Sequence, residues 1–204
     1  MRDRLSVSKL NLCMLFVFFS KQTGPEILSQ CPDISAFVMS SGTGGTVSGV
    51  SRYIKDELRK RGQWRPRIGG NWRSQPRCRS RTCRTVLVDP PGSALYNKIV
   101  HGVAFAPEQR ERALRRHRYD TIAEGIGLDR VTCNLAMGIE CIDDAVQVTD
   151  QEALDMAHWL LHAEGLWVGS SSAMNVVGAV RTALSLSENS KVVTVVCDGG
   201  QRHL

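Results

Sequence analysis

Three things are missing from this sequence: a Cys-x-x-Cys pair, an unbroken apolar run long enough to cross a bilayer, and any acidic residue between Arg59 and Arg84. The first absence removes the usual zinc and dithiol signatures. Cys78 and Cys83 lie close together, but four residues separate them and no matching His or Cys pair follows, so no metal is expected there. Seven cysteines, an odd number, read as small core or surface thiols of a reducing compartment. The second absence bears on residues 1–20. Basic residues at 2, 4 and 9 precede an apolar stretch over 10–19 broken by Asn11. That stretch is too short for a span, and no small-x-small cleavage site follows it. Residues 1–22 are therefore expected to lie outside the domain. A cytoplasmic location is expected, with a mitochondrial location or an anchor through residues 1–20 as alternatives, and no membrane partner.

The third absence localises the charge. The chain is formally +6, but residues 59–84 hold nine Arg and one Lys, which leaves +6 minus ten, or −4, for the remainder. Trp64, Pro66, Trp72 and Pro76 punctuate this stretch without a period, so 61–84 reads as a basic loop. Arg with interleaved Trp can hold phosphates and stack bases. No recognition motif accompanies it, however, and nucleic-acid binding through 59–84 stays the lesser alternative.

What is present begins with the stretch Ser40 to Gly49. Ile34, Ala36, Phe37, Val38 and Met39 form a short apolar run bounded by turn residues, as a buried strand requires. Val47, Val50, Ile54 and Leu58 then recur at helical spacing. Between them lie Gly42, Thr43, Gly44, Gly45 and Thr46. Exposed backbone N–H groups, two hydroxyls and a helix N-terminus make a phosphate cradle. No Lys follows the last glycine, and the glycine spacing is not that of a dinucleotide fold, so a compact monophosphate suits it better.

The remaining chain alternates strands and helices within one main domain. Residues 85–89 predict a strand and residues 108–117 a helix, and Glu124, Gly125, Ile126 and Gly127 form a flexible glycine loop. Thr149 and Glu152 form a capping box for a helix with Leu154, Ala157 and Leu161 facing inward and Gly165 ending it. Residues 166–168 predict a short buried strand, residues 169–172 a second hydroxyl-rich turn, residues 176–186 a helix, and residues 191–197 a strand. This pattern implies an α/β fold with an open, mostly parallel sheet and helices on both faces. Both hydroxyl-rich turns then fall at the carboxyl ends of strands, where such sheets bind ligands, and face one pocket.

Thr23-Gly24-Pro25-Glu26-Ile27, the loop from Gly42 to Thr46, Val88-Asp89-Pro90, Glu124-Gly125-Ile126-Gly127, Gly169-Ser170-Ser171-Ser172 and Asp198-Gly199-Gly200-Gln201-Arg202 resemble successive motifs of the cysteine synthase family. These are pyridoxal-phosphate enzymes of the tryptophan-synthase β-like fold. The resemblance covers residues 23–60 and 85–204, the carboxyl-terminal half of such an enzyme. It implies an incomplete three-layer αβα sandwich over residues 23–204 that binds pyridoxal 5'-phosphate noncovalently. By motif, Gly42, Thr43, Gly44, Gly45 and Thr46 hold the phosphate and Ser171 bonds the pyridine nitrogen. A neutral hydroxyl there leaves that nitrogen largely unprotonated, which suits β-elimination and replacement rather than transamination. Glu124, Gly125, Ile126 and Gly127 would border the ring and substrate, with Asp198 behind Ser171.

The reaction implied is replacement on O-acetylserine by sulfide to give cysteine, with cystathionine formation a close relative and a homodimer a possible assembly. The sequence departs from the family in having no Schiff-base lysine. Lysines 9, 21, 55, 60, 98 and 191 lack the family's lysine context and read as solvated surface groups. No catalytic residue is thus present, and the chain is expected to be inactive alone. A pseudoenzyme or interaction subunit with a residual phosphate site is the alternative, since half a fold exposes apolar surface. Residues 1–22 and 61–84 read as foreign to the domain, as an incomplete or misassembled reading frame would make them.

Overall fold

The computed structural model describes residues 14–64, 83–106 and 121–203. The expected helix at 108–117, Cys78 and most of the Arg-rich stretch lie outside them. Residues 14–18 are helical and run through a π-helical turn, Phe19–Thr23, into α1, Gly24–Gln30. Phe16 is buried, and Phe19 packs against the main core.

β1, Ala36–Ser40, lies between β2, Arg84–Asp89, and β4, Val192–Thr194; β3, Asp144–Gln147, pairs on the far side of β2. Every pairing between these strands is parallel. A parallel sheet is covered on both faces, and strand alternation sorts its residues between them. Phe37, Met39 and Leu87 face a layer made by α2, Gly45–Lys60, and α3, Ala94–His101. Ala36, Val38, Val86 and Val88 face Ala153 of α5, Asp150–Glu164, and Met174 and Val177 of α6, Ser170–Leu184. The expected α/β sheet with helices on both faces is what forms. On α2, Val47, Val50, Ile54 and Leu58 are all buried, as their spacing requires.

Four local expectations need correction. Residues 166–168 do not form a buried strand: Leu166 and Trp167 are half exposed, and only Val168 pairs, as an antiparallel bridge to Gly199. Gly165 turns the chain in the left-handed region and Leu166 N–H closes on Leu160 O at 2.9 Å, so the segment is part of a helix cap. On α5 the capping box forms as expected, but Ala153 and Leu160 face inward while Leu154 and Leu161 are exposed. The buried stripe is narrower and one residue offset from the most apolar face. The run 191–197 pairs only over Val192–Thr194, and Val196 and Cys197 emerge at the sheet edge. Lys55 is not a surface group. Its side chain is buried, with Nζ 2.5 Å from Asp143 Oδ2 and donating to Cys83 O at 2.8 Å. Asp143 Oδ2 also accepts from Thr85 N–H at 2.8 Å, so a hydrogen-bonded charge pair ties α2 to the start of β2 and β3.

Candidate functional site

β1 delivers its last residues to the carboxyl edge of the sheet, where the chain turns through residues 42–44 into α2. Gly44 adopts φ +83°, a conformation L side chains avoid. A Cβ there would also sit 2.6 Å from Leu135 Cβ and 2.9 Å from Leu135 N, in the short helix α4, Cys133–Ala136. The turn is held from outside: Thr132 Oγ1 donates to Thr43 O at 2.6 Å. Ser48 Oγ donates to Asn134 O at 2.8 Å and to Gly44 O. The first N–H groups of α2 have no carbonyl one turn back, and sixteen aligned residues place a positive dipole end there. The Thr43 side chain is exposed and Thr46 half-buried at this end.

The other expected residues converge on the same edge through an intervening loop. A Cβ on Gly42 would approach Gly125 O to 3.2 Å, so the glycine turn and the 124–127 loop touch through backbone. Glu124 and Gly125 are exposed, whereas Ile126 and Gly127 are buried, Ile126 within the α6-side core. The loop is fastened below by Asp150, which accepts from Thr121 Oγ1 at 2.6 Å and from Ile122 N–H at 3.1 Å. It is fastened on the far side by Ser170, whose hydroxyl donates to Ile122 O at 2.9 Å.

Ser171 lies in the first turn of α6, which starts at Ser170 rather than the expected 176. Its Oγ donates to Asp198 Oδ1 at 3.0 Å. Ser172 organises this corner further: its hydroxyl bonds Asp198 Oδ1 at 2.9 Å and accepts the N–H groups of Cys197 at 2.8 Å and Asp198 at 3.2 Å. Although the Cys197 residue emerges at the edge, partial desolvation of its thiol raises its pKa, which keeps it neutral beside Ser171.

The structure therefore brings Gly42, Gly44, Gly125 and Ser170 into one contiguous edge, with Ser171 and Asp198 paired beside it. Sequence reading missed Asn175. Buried on α6, it accepts from Ser40 N–H at 2.7 Å and donates to Val195 O at 2.9 Å, tying the strand before the glycine turn to the segment before Asp198. Its signal was a polar residue on the buried face of an otherwise apolar helix. Thr132, the outer clasp of the turn, had no signal of its own. Donor N–H groups, hydroxyls and a dipole end at this turn would suit a phosphate monoester, and a side chain at 42 or 44 would strike Gly125 O or Leu135.

A family model described as pyridoxal-phosphate dependent enzyme matches residues 5–198. "Cysteine synthase 2" of Neurospora crassa is 45% identical over 185 residues, 90% of this chain but 36% of the relative. A Saccharomyces cerevisiae relative bearing a mitochondrial cysteine synthase designation in its name is 41% identical over 183 residues, 89% of this chain and 41% of the relative. The crystal structure of an O-acetylserine-dependent cystathionine β-synthase from Helicobacter pylori superposes with a TM-score of 0.66 at 25% identity, covering 93% of this chain and 49% of that one. The chain thus spans about two fifths of the length of the curated relatives it matches.

Proposed function

Because the chain belongs to the pyridoxal-phosphate-dependent enzyme family, we propose that it forms the cofactor-phosphate side of a cysteine synthase-type site. The complete reaction replaces the acetoxy group of O-acetylserine with sulfide. The observation that carries this reading is the meeting of the glycine turn with Gly125 at backbone contact, with Ser170 bonded to the same loop. In this reading Gly42 to Thr46 bind the phosphate through N–H groups and the Thr43 and Thr46 hydroxyls. Ser171 donates to the ring nitrogen, its proton turning from Asp198, which retains Ser172 as a partner. Glu124, Gly125, Ile126 and Gly127 border the substrate, and Asp198 stands behind Ser171. When bound, the cofactor supplies the electron sink for β-replacement.

The chain by itself is inactive in that reaction. Lys55 is locked to Asp143, Lys60 pairs with Glu57, Lys191 pairs with Asp33, and Lys98 donates to Gly102 O. None of these four is offered to the cradle, Lys21 is exposed on the π-helical turn and Lys9 lies outside the described residues, so this reading assigns the Schiff-base lysine to a separate segment. The test uses pyridoxine 5'-phosphate, which lacks the aldehyde and cannot react with surface lysines. Binding of this ligand, read by tryptophan fluorescence, with no binding of unphosphorylated pyridoxine, is the expected result. Equal binding of both, or of neither, refutes the phosphate cradle. Cysteine formation from O-acetylserine and sulfide by the chain alone refutes the inactivity.

A second reading, an interaction subunit, is favoured by the apolar surface on α5, α6 and the segment joining them, where Trp159, Trp167 and Leu184 are exposed, Leu184 at 83%. Light scattering distinguishes a monomer from the homodimer this reading allows. Among the described residues no helix is long and apolar enough to cross a membrane. We propose a cytoplasmic location with a mitochondrial one as the alternative, and fractionation against a mitochondrial marker decides between them.

A further inference from the structure

The helical residues 14–18 and the π-helical turn Phe19–Thr23 cross the start of α2 at backbone contact. A Cβ on Gly49 would sit 2.7 Å from Phe16 O, 3.0 Å from Ser20 N and 3.1 Å from Phe19 Cβ. A Cβ on Gly45 would sit 3.1 Å from Leu15 Cβ, with Leu15 C at 3.5 Å and Phe16 N at 3.6 Å. Further along α2 the roles are exchanged, since a Cβ on Gly24 would come within 2.7 Å of Tyr53 Cβ. Residues 45, 49 and 53 are four apart, so one ridge of α2 takes the whole crossing. Phe16 is buried there and Phe19 reaches the main core. Gly45 is at once the first residue of α2 and a member of the 42–46 turn. The same turn meets α4, where Leu135 lies against Gly44 and Ser48 Oγ donates to Asn134 O at 2.8 Å. Two separate elements therefore grip the turn, each approaching it at a glycine.

We propose that residues 14–23 are a positioning element for the 42–46 turn: seated on Gly45 and Gly49, they hold the first turn of α2 in the geometry that binds an anion. This rests on reading that turn as an anion site. The first N–H groups of a helix have no carbonyl one turn back, so a terminal turn depends on packing to stay wound. Here it also carries two glycines, the residues that lose most backbone freedom on being fixed. The contact at Gly49 is to a backbone carbonyl, which no rotamer change can move aside. An anion needs the free N–H groups held together, so it binds the gripped turn better than a loosened one. By linkage, a bound anion then holds residues 14–23 in place by the same factor.

Amide hydrogen exchange on the full chain, with and without pyridoxine 5'-phosphate, tests the coupling. In wild type, saturating ligand should slow exchange over residues 14–23 by about tenfold and leave α5 unchanged. No slowing over 14–23, or slowing shared equally by α5, overturns the proposal, and this arm needs no variant. Phe16→Ala alters nothing within α2. It should speed exchange over 42–46 and weaken ligand binding by about the same tenfold, and Phe16→Leu should recover both. Faster exchange over 14–23 in Phe16→Ala, with the turn and the affinity unchanged, overturns the positioning role. Absence of ligand binding by wild type strikes instead at the anion site itself. Exchange over 42–46 in ligand-free Phe16→Ala then decides the grip alone: faster than wild type sustains it, and unchanged refutes it.

Discussion

Asn175→Ala should destabilise the fold by about 2–4 kcal/mol, with most of that cost at one atom. The Asn175 amide is the partner of two backbone groups, Ser40 N–H at 2.7 Å and Val195 O at 2.9 Å. Removing a buried partner costs the desolvation of the group left behind, about 1–3 kcal/mol each. Ser40 is 5% exposed, so water cannot reach its N–H, whereas Val195 is half-buried and water at its carbonyl recovers part of the loss. The lost side chain adds a small cavity beneath α6. Against a typical stability of about 5–15 kcal/mol, the variant should fold but unfold at clearly lower urea. Asn175→Asp separates the two bonds, since it keeps the acceptor for Ser40 N–H and loses the donor to Val195 O. It should recover part of the loss. Urea unfolding with the m-value held constant measures both. A change below about 0.5 kcal/mol for Asn175→Ala would show that the bridge adds nothing to stability, and the reasoning fails.

Gly44→Ala should weaken pyridoxine 5'-phosphate binding and cost about 1–3 kcal/mol of stability, because a left-handed residue gains a Cβ 2.6 Å from Leu135 Cβ; unchanged affinity in a folded variant counts against the cradle. Lys55→Met should cost about 3–5 kcal/mol by leaving Asp143 inside the protein without its cation, and Asp143→Asn in the same chain should restore part of it in a double-mutant cycle. Asp89 sets a pH dependence of known sign. Its native pKa of about 7 lies above the ordinary 3.8, so the folded state keeps a proton that the unfolded chain releases. Its contribution is fully present below the ordinary value, is lost as pH rises toward about 7, and is constant above; the total is at most about 4 kcal/mol. The difference in unfolding free energy between wild type and Asp89→Asn should show this slope, and a difference independent of pH refutes the assignment.

Val47, Val50, Ile54 and Leu58 point inward as their spacing requires, because a sixteen-residue helix on a sheet has one apolar face to bury. Leu154 and Leu161, apolar at inward-facing spacing, are exposed, because α5 meets its neighbours along the line of Ala153 and Leu160. Hydrophobicity marks residues able to be buried, and the position of neighbouring elements selects which of them are. Lys55 shows the reverse case: a charged residue at a buried position is legible only once Asp143, distant in sequence, is seen beside it.

The sequence by itself determined the alternation of elements, the glycine turn between β1 and α2, the capping box on α5, and the family to which these motifs point. Those are local properties, fixed by side-chain period, backbone freedom and hydrogen-bond donors within a few residues. Only the tertiary structure decided that Gly42 meets Gly125, that Ser171 pairs with Asp198, and that Asn175 joins the two halves of the edge. Each of these joins residues far apart in sequence. Only the sheet, by setting β1 between β2 and β4, brings them within reach of one another.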